Sequence, residues 1–216
     1  MPQSGIFTKE ERLTLKDKAA QQLREAILSG KLVPGSRLIE QDLSDMMGIS
    51  RFPLREAMAS LEQVGLVTIE PYKGAFVSTP TAAEIEEVYT VRSLLEVHAL
   101  KTLLEGDTRG VAMLLRQVVK RMDPDLPYLD ALRNDLEYHS ILCECAGNMT
   151  LHRMWLTLST KIQLYINIEL RRGLITAMQE SHGALCSLIE GGNKEAALKE
   201  LKRHLEHGKQ TLLAPA

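Results

Sequence analysis

Apolar positions recur every three to four residues through most of this chain and alternate in only one short place. From Leu15 to Ser29, Ala19, Leu23, Ala26 and Ile27 fall on one side, the spacing of an amphipathic helix, and Gly30 ends it. "KLVPGSRL" is a turn-rich connector. Gln41 to Met47 predicts a short second helix, and Gly48 supplies a tight turn. Ser50 is a good N-cap for a third helix that runs to about Val64, where Gly65 stops it. Pro53 is tolerated there because first-turn N–H groups have no helical partner. "LVTIE" and "GAFVS", β-branched and apolar, are joined by "PYKG" and predict a hairpin. Pro80 then breaks the strand, and Thr81 with Glu84 makes a capping box. Beyond it the pattern is helical, at about 82–104, 108–122, 128–146, 149–172, 174–190 and 194–210. Gly106, "DPDLP", "AGN", Gly173 and "EGGN" separate these segments.

The expected fold is therefore mainly α. A winged helix-turn-helix of three helices and a β-hairpin occupies residues 1–79, and an all-α six-helix bundle occupies 80–216. On the third helix, Leu54, Ala57, Leu61 and Val64 form the apolar stripe. At about 100° per residue, Arg51 and Arg55 lie about 40° apart, turned away from the centre of that stripe. The first turn of such a recognition helix enters the major groove of DNA. There an arginine can give two parallel hydrogen bonds to guanine, worth about 1–3 kcal/mol against a wrong base. The hairpin tip, with Tyr72, Lys73 and Gly74, would lie along the backbone or minor groove. The competing reading is an ordinary solvated face on which Arg55 pairs with Glu62 or Glu56. The order helix–turn–helix–hairpin around it favours the DNA reading.

Charge changes this picture only slightly. The net charge is −2, and residues 1–79 hold 10 of the 26 Lys and Arg and 10 of the 28 Asp and Glu. DNA contact must come from local placement of arginines and not from a global basic field. With 44% hydrophobic and 25% charged residues, the chain is an ordinary soluble protein and not a disordered one. No apolar run approaches the roughly 20 residues that span a bilayer. "MPQSGIFTKEERL" lacks the apolar core of a signal peptide, which implies a cytoplasmic protein. Cys143, Cys145 and Cys186 are an odd number without an export signal, so they read as small core or surface residues.

Histidines supply the second candidate site. His139 shares a stripe with Leu132, Leu136 and Cys143, and Asp135 precedes it by one turn. His182 shares a stripe with Met178, Leu185 and Ile189, and His204 with Ala197 and Leu201, whereas His207 points nearly opposite. One inward histidine is usually a hydrogen-bonded core residue. Three on different helices, with a carboxylate at i,i+4, favour a divalent metal such as Zn, Ni, Mn or Fe. Arg92 falls on the apolar stripe Ile85, Val88, Leu95, Ala99, where a guanidinium needs a partner. That partner is either Glu96 in an i,i+4 ion pair or the carboxylate of a ligand held in a planar, two-pronged contact.

The stretch "LREAILSGKLVPGSRLIEQDLSDMMGISRFPLREAMASLEQVGLV", followed by "KGAFVS", resembles the DNA-binding domain of the GntR family of bacterial transcription regulators. The pattern G-[IV]-[ST]-R-x-P-[LV]-R-E-A-[LM] is met from Gly48 to Met58, with Ser50 inside it. The helical remainder resembles the FadR-like subgroup, whose effector-binding module is the FCD domain. The resemblance implies that Arg51 and Arg55 contact operator bases or phosphates. A second-helix position that is often basic in the family is Gln41 here. It further implies that Asp135, His139, His182 and His204 ligate a divalent metal, with Arg92 near metal and ligand. Asn148 matches a family position after the first ligand helix, and helix capping explains it equally well.

The expected function is a homodimeric repressor that binds double-stranded operator DNA and responds to a small organic acid at the metal, without membrane association. Two rivals stand beside it: a metal-dependent hydrolase-type enzyme fused to a DNA-binding domain, and a regulator whose metal is purely structural.

Overall fold

The computed structural model describes residues 13–106, 108–123, 126–171 and 178–214. The N-terminal half of the fold begins with α1 (Leu15–Leu28), opened by a capping box between Thr14 and Asp17. A two-residue strand β1 (Arg37–Leu38) leads into α2 (Glu40–Met47), which Gly48 ends in a left-handed conformation, φ 64°. Glycine adopts that backbone without strain, which lets α3 (Arg51–Gln63) start at once across α2. Ser50 is the N-cap residue of α3, but its side chain makes no capping hydrogen bond. Leu54, Ala57, Met58 and Leu61 are the buried stripe of α3, and Leu54, Met58 and Leu61 share one apolar cluster with Leu23 and Ile27 of α1.

Strands β2 (Val67–Glu70) and β3 (Gly74–Val77) form the expected hairpin. The sheet has three strands, however, in the order β1-β3-β2, all antiparallel, with Leu38 opposite Ala75 and Val67 opposite Val77. The end of the segment that reads as connector thus pairs with the wing. Its alternation is too short to register as a strand in sequence.

Thr81 and Glu84 form the anticipated capping box and start α4 (Ala82–Leu103). Helices α5 (Thr108–Val119), α6 (Tyr128–Glu144), α7 (Met149–Arg171), α8 (Met178–Glu190) and α9 (Lys194–Leu213) follow. The last is three residues longer than its pattern suggests. The expected starts of α8 at 174 and end of α7 at 172 lie outside the described residues. One apolar core, including Leu100, Leu115, Tyr138, Leu142, Trp155 and Leu201, fills the bundle. A second runs from Leu23, Ile27, Leu54 and Val67 across to Ile85 and Val88 of α4 and to Ile162 and Tyr165 of α7. Arg24 of α1 reaches Thr160 of α7 across the same contact, Nη1 to Oγ1 at 3.4 Å. Among the described residues, no helix is long and apolar enough to cross a membrane.

Candidate metal centre and nucleic-acid interface

Arg51 and Arg55 are both exposed on the first turns of α3. Each touches α2. Arg51 Nη2 donates to Gln41 Oε1, and Arg55 Nε forms an ion pair with Glu40 Oε2 at 2.8 Å. Neither Glu56 nor Glu62 is the partner of Arg55, contrary to the alternative drawn from the sequence. Glu62 Oε1 instead accepts from the amide of Ile69 at 3.0 Å and ties α3 to the wing. At the wing tip Tyr72 is fully exposed with φ 64°, and Lys73 Nζ pairs with Glu70 at 2.7 Å. Gly74 has φ 108°, and beside it Arg37 Nη2 donates to the carbonyl of Lys73 at 2.9 Å. A short turn, a helix with exposed arginines at its start and a projecting basic tip together form a surface suited to a DNA groove and its phosphates.

The second site lies inside the bundle. Asp135 and His139 come from one face of α6, His182 from α8 and His204 from α9. One ligand atom of each lies within 4.8 Å of all the others. His139 Nε2 is 3.3 Å from His182 Nε2 and 3.2 Å from His204 Nε2. Asp135 Oδ1 is 3.3 Å from His182 Nε2 and 3.9 Å from His139 Nε2. Asp135 Oδ2 is buried without a hydrogen-bond partner. Two neutral imidazoles share at most one proton between facing nitrogens, and an ionised carboxylate has none to give. One divalent cation satisfies all four groups together. Nitrogen and oxygen ligands sit about 2.0–2.2 Å from such an ion, which spaces neighbouring ligands by roughly 3–3.5 Å. The donor set therefore fits a metal in its chemistry, and three of the four separations given above, at 3.2–3.3 Å, match that spacing, the fourth being 3.9 Å.

The surroundings are dry and charged. Burial lowers the His139 and His204 pKa values below the usual histidine value, although Glu96 and Asp135 respectively pull the other way. Burial alone would keep Asp135 protonated, but the bond from His182 and the nearby His139 and Arg92 hold its carboxyl well below the usual range. Arg92 is buried and pairs with Glu96, Nε to Oε1 at 2.8 Å, with its guanidinium carbon 5.4 Å from the centre of the Tyr89 ring. Glu96 is fully buried, and its other oxygen lies 2.7 Å from His139 Nδ1. The indole of Trp155 donates to Glu96 Oε1 at 3.0 Å. Despite the cost of burial, His139 and Arg92 hold the Glu96 carboxyl down at about 2.

The fold brings Asp135, His139, His182 and His204 together, with Arg92 one contact away through Glu96. His207 is exposed, as its helical phase requires. Asn148 is exposed, and its Oδ1 accepts from the amide of Leu151 at 3.0 Å, so it caps α7. The contact of Glu96 on α4 with His139 on α6 joins residues 43 apart and has no local sequence signal. Trp155 and Ser181, whose Oγ is 2.8 Å from His204 Nδ1, are equally silent in the sequence.

Two family profiles match the chain. Residues 15–77 match the bacterial regulatory proteins of the gntR family, and residues 87–207 match the FCD domain. The HTH-type transcriptional regulator YdhC of Bacillus subtilis, itself uncharacterized, is 27% identical over 192 residues, covering 86% of this chain and 85% of that protein. The gluconate operon transcriptional repressor of the same organism is 24% identical over 198 residues, covering 88% and 81%. Among solved structures, a GntR transcriptional regulator from Rhodococcus sp. RHA1 superposes with a TM-score of 0.78 at 26% identity, covering 92% of this chain and 97% of that one. The chain belongs to the GntR family of bacterial transcriptional regulators, with a winged helix-turn-helix followed by an FCD domain.

Proposed function

We propose that this regulator is a metal-containing, ligand-responsive repressor, with residues 1–79 as its operator-binding unit and 80–216 as its sensor. The observation that carries the reading is the convergence of three imidazoles and one carboxylate from three helices, with Asp135 Oδ2 buried and unbonded. A divalent ion held by Asp135, His139, His182 and His204 supplies open positions for the oxygens of a small organic acid. Arg92 uses Nε for Glu96, so its terminal nitrogens take no part in that bond and suit a carboxylate. Asn148, which caps α7 through Oδ1, is the second effector-binding residue in this reading.

Operator recognition falls to Arg51 and Arg55, assisted by Ser50, Gln41, Lys73 and Gly74. A homodimer follows from the small DNA contact that one such head makes. Repression is supported by the likeness to the gluconate operon repressor. The effector acts by favouring one spacing of the two heads over another.

Elemental analysis of the purified protein tests the metal, and a thermal-shift screen of small carboxylates tests the effector. Acids that raise the melting temperature should also change operator affinity in a gel-shift titration. Protein that takes up no divalent ion, or acids that bind without changing operator affinity, would refute the reading. The family relationship favours sensing over hydrolysis. Turnover of the bound acid, followed by NMR, would instead establish an enzyme.

A further inference from the structure

Glu96 provides none of the four converging ligand atoms, yet its carboxylate is fully buried and makes three bonds. Oε1 accepts from Arg92 Nε at 2.8 Å and from Trp155 Nε1 at 3.0 Å, and Oε2 lies 2.7 Å from His139 Nδ1. We propose that Glu96 is a positioning residue for the metal centre: it fixes His139 in the tautomer with hydrogen on Nδ1, aiming the Nε2 lone pair at the ion. The proposal rests on the metal reading above and assigns a role to a residue outside the ligand set.

The argument is one of hydrogen-bonding capacity. A carboxylate paired with a buried guanidinium is ionised and can only accept. The proton in the contact with His139 therefore belongs to Nδ1, and a neutral imidazole then carries its lone pair on Nε2. That nitrogen is the one that lies 3.2–3.3 Å from the Nε2 atoms of His204 and His182. Arg92 and Trp155 both hold Oε1, so the carboxylate cannot swing away from the ring. Ser181 meets His204 Nδ1 at 2.8 Å, but a hydroxyl can donate or accept and imposes no tautomer. Glu96 is thus the acceptor-only group that decides which nitrogen of His139 faces the other ligands.

The test uses the full-length protein carrying Glu96→Gln, with Zn²⁺ affinity measured by chelator competition. Imidazole nitrogen NMR is recorded on the metal-free form. Zn²⁺ affinity should fall about 10–100-fold, the usual cost of losing such a support. His139 should change from one Nδ1–H tautomer to a mixture, while Ser181→Ala changes both readouts far less. If Glu96→Gln does not fold, the double variant Arg92→Met with Glu96→Gln removes both charges and is read in the same way. Unchanged affinity overturns the proposal, and so does lost affinity with the His139 tautomer retained. Wild-type protein that binds no Zn²⁺ is a different result, which removes the metal reading and this inference together.

Discussion

Arg92 and Glu96 stand one turn apart on α4 and bond at 2.8 Å with side chains only 3% and 0% exposed. Sequence offers two partners for Arg92, a neighbouring glutamate or a ligand carboxylate, as though they excluded each other. The geometry makes them compatible. Nε serves Glu96, and the other edge of the planar fork is outside that bond. A buried pair is costly to break from one side, because the remaining charge stays desolvated.

Arg92→Met should therefore destabilise the metal-free protein by about 3–5 kcal/mol, the usual effect of stranding one member of a buried pair. Urea denaturation measures it. Arg92→Lys keeps the charge but not the fork, so it should bind Zn²⁺ and operator normally while needing more effector to change operator affinity. An unchanged effector titration for the lysine variant would confine Arg92 to its bond with Glu96.

Removing His204 should abolish most metal binding, whereas removing His207 should not. The two are three residues apart on α9, but only His204 reaches the cluster. Elemental analysis of His204→Ala and His207→Ala gives the comparison. Equal loading would move the site away from His204.

The metal-free protein should lose stability as pH falls from about 7. Burial sets the folded-state pKa of His139 and His204 below 6.5, so the unfolded chain takes up protons first. Their contribution is complete above that value and declines as pH drops towards the folded values. Glu96 adds a second decline with the same sign, from the usual 4.5 down to about 2. Thermal midpoints measured in chelator should be level from pH 8 to about 7 and fall from there to pH 4. Protein loaded with Zn²⁺ should show a larger acid loss, since protons and metal compete for the same nitrogens.

At the DNA surface, Arg51→Ala and Arg55→Ala should each weaken specific operator binding with little change in stability, because both side chains are exposed. Glu40→Gln should act oppositely. It removes the carboxylate that Arg55 meets at 2.8 Å and that DNA phosphates must displace or oppose. An exposed pair of this kind is worth about 0.2–1 kcal/mol, so operator affinity should rise by roughly 1.4- to fivefold. Gel shifts at one fixed salt concentration compare all three variants, and weaker binding by Glu40→Gln would contradict the assignment.

The helices were legible because their signals are local. The stripe of α3, Gly48 and the Thr81–Glu84 box each act within a few residues. Asp135 and His139 were legible as a pair one turn apart, and His182 and His204 by their phase on separate helices. What stayed hidden depends on long-range contact. β1 exists only because β3 lies beside it, and the pairing of Arg55 with Glu40 needs α2 and α3 already crossed. Trp155 reads as ordinary core until α7 is placed against α4, where its indole finds Glu96.

The apolar cluster that joins Leu23 and Ile27 of the head to Ile162 and Tyr165 of α7 bears on how such proteins diversify. A head exchanged between regulators at residue 80 would arrive with a foreign surface facing α7. Successful recombination must carry matching changes on both sides, so α1 and α7 should vary together during evolution even though they belong to different domains. A designer grafting a new operator specificity onto this sensor would do better to exchange the exposed residues of α2, α3 and the wing, leaving intact the packing of α1 on both Leu54 and Leu61 of α3 and on α7.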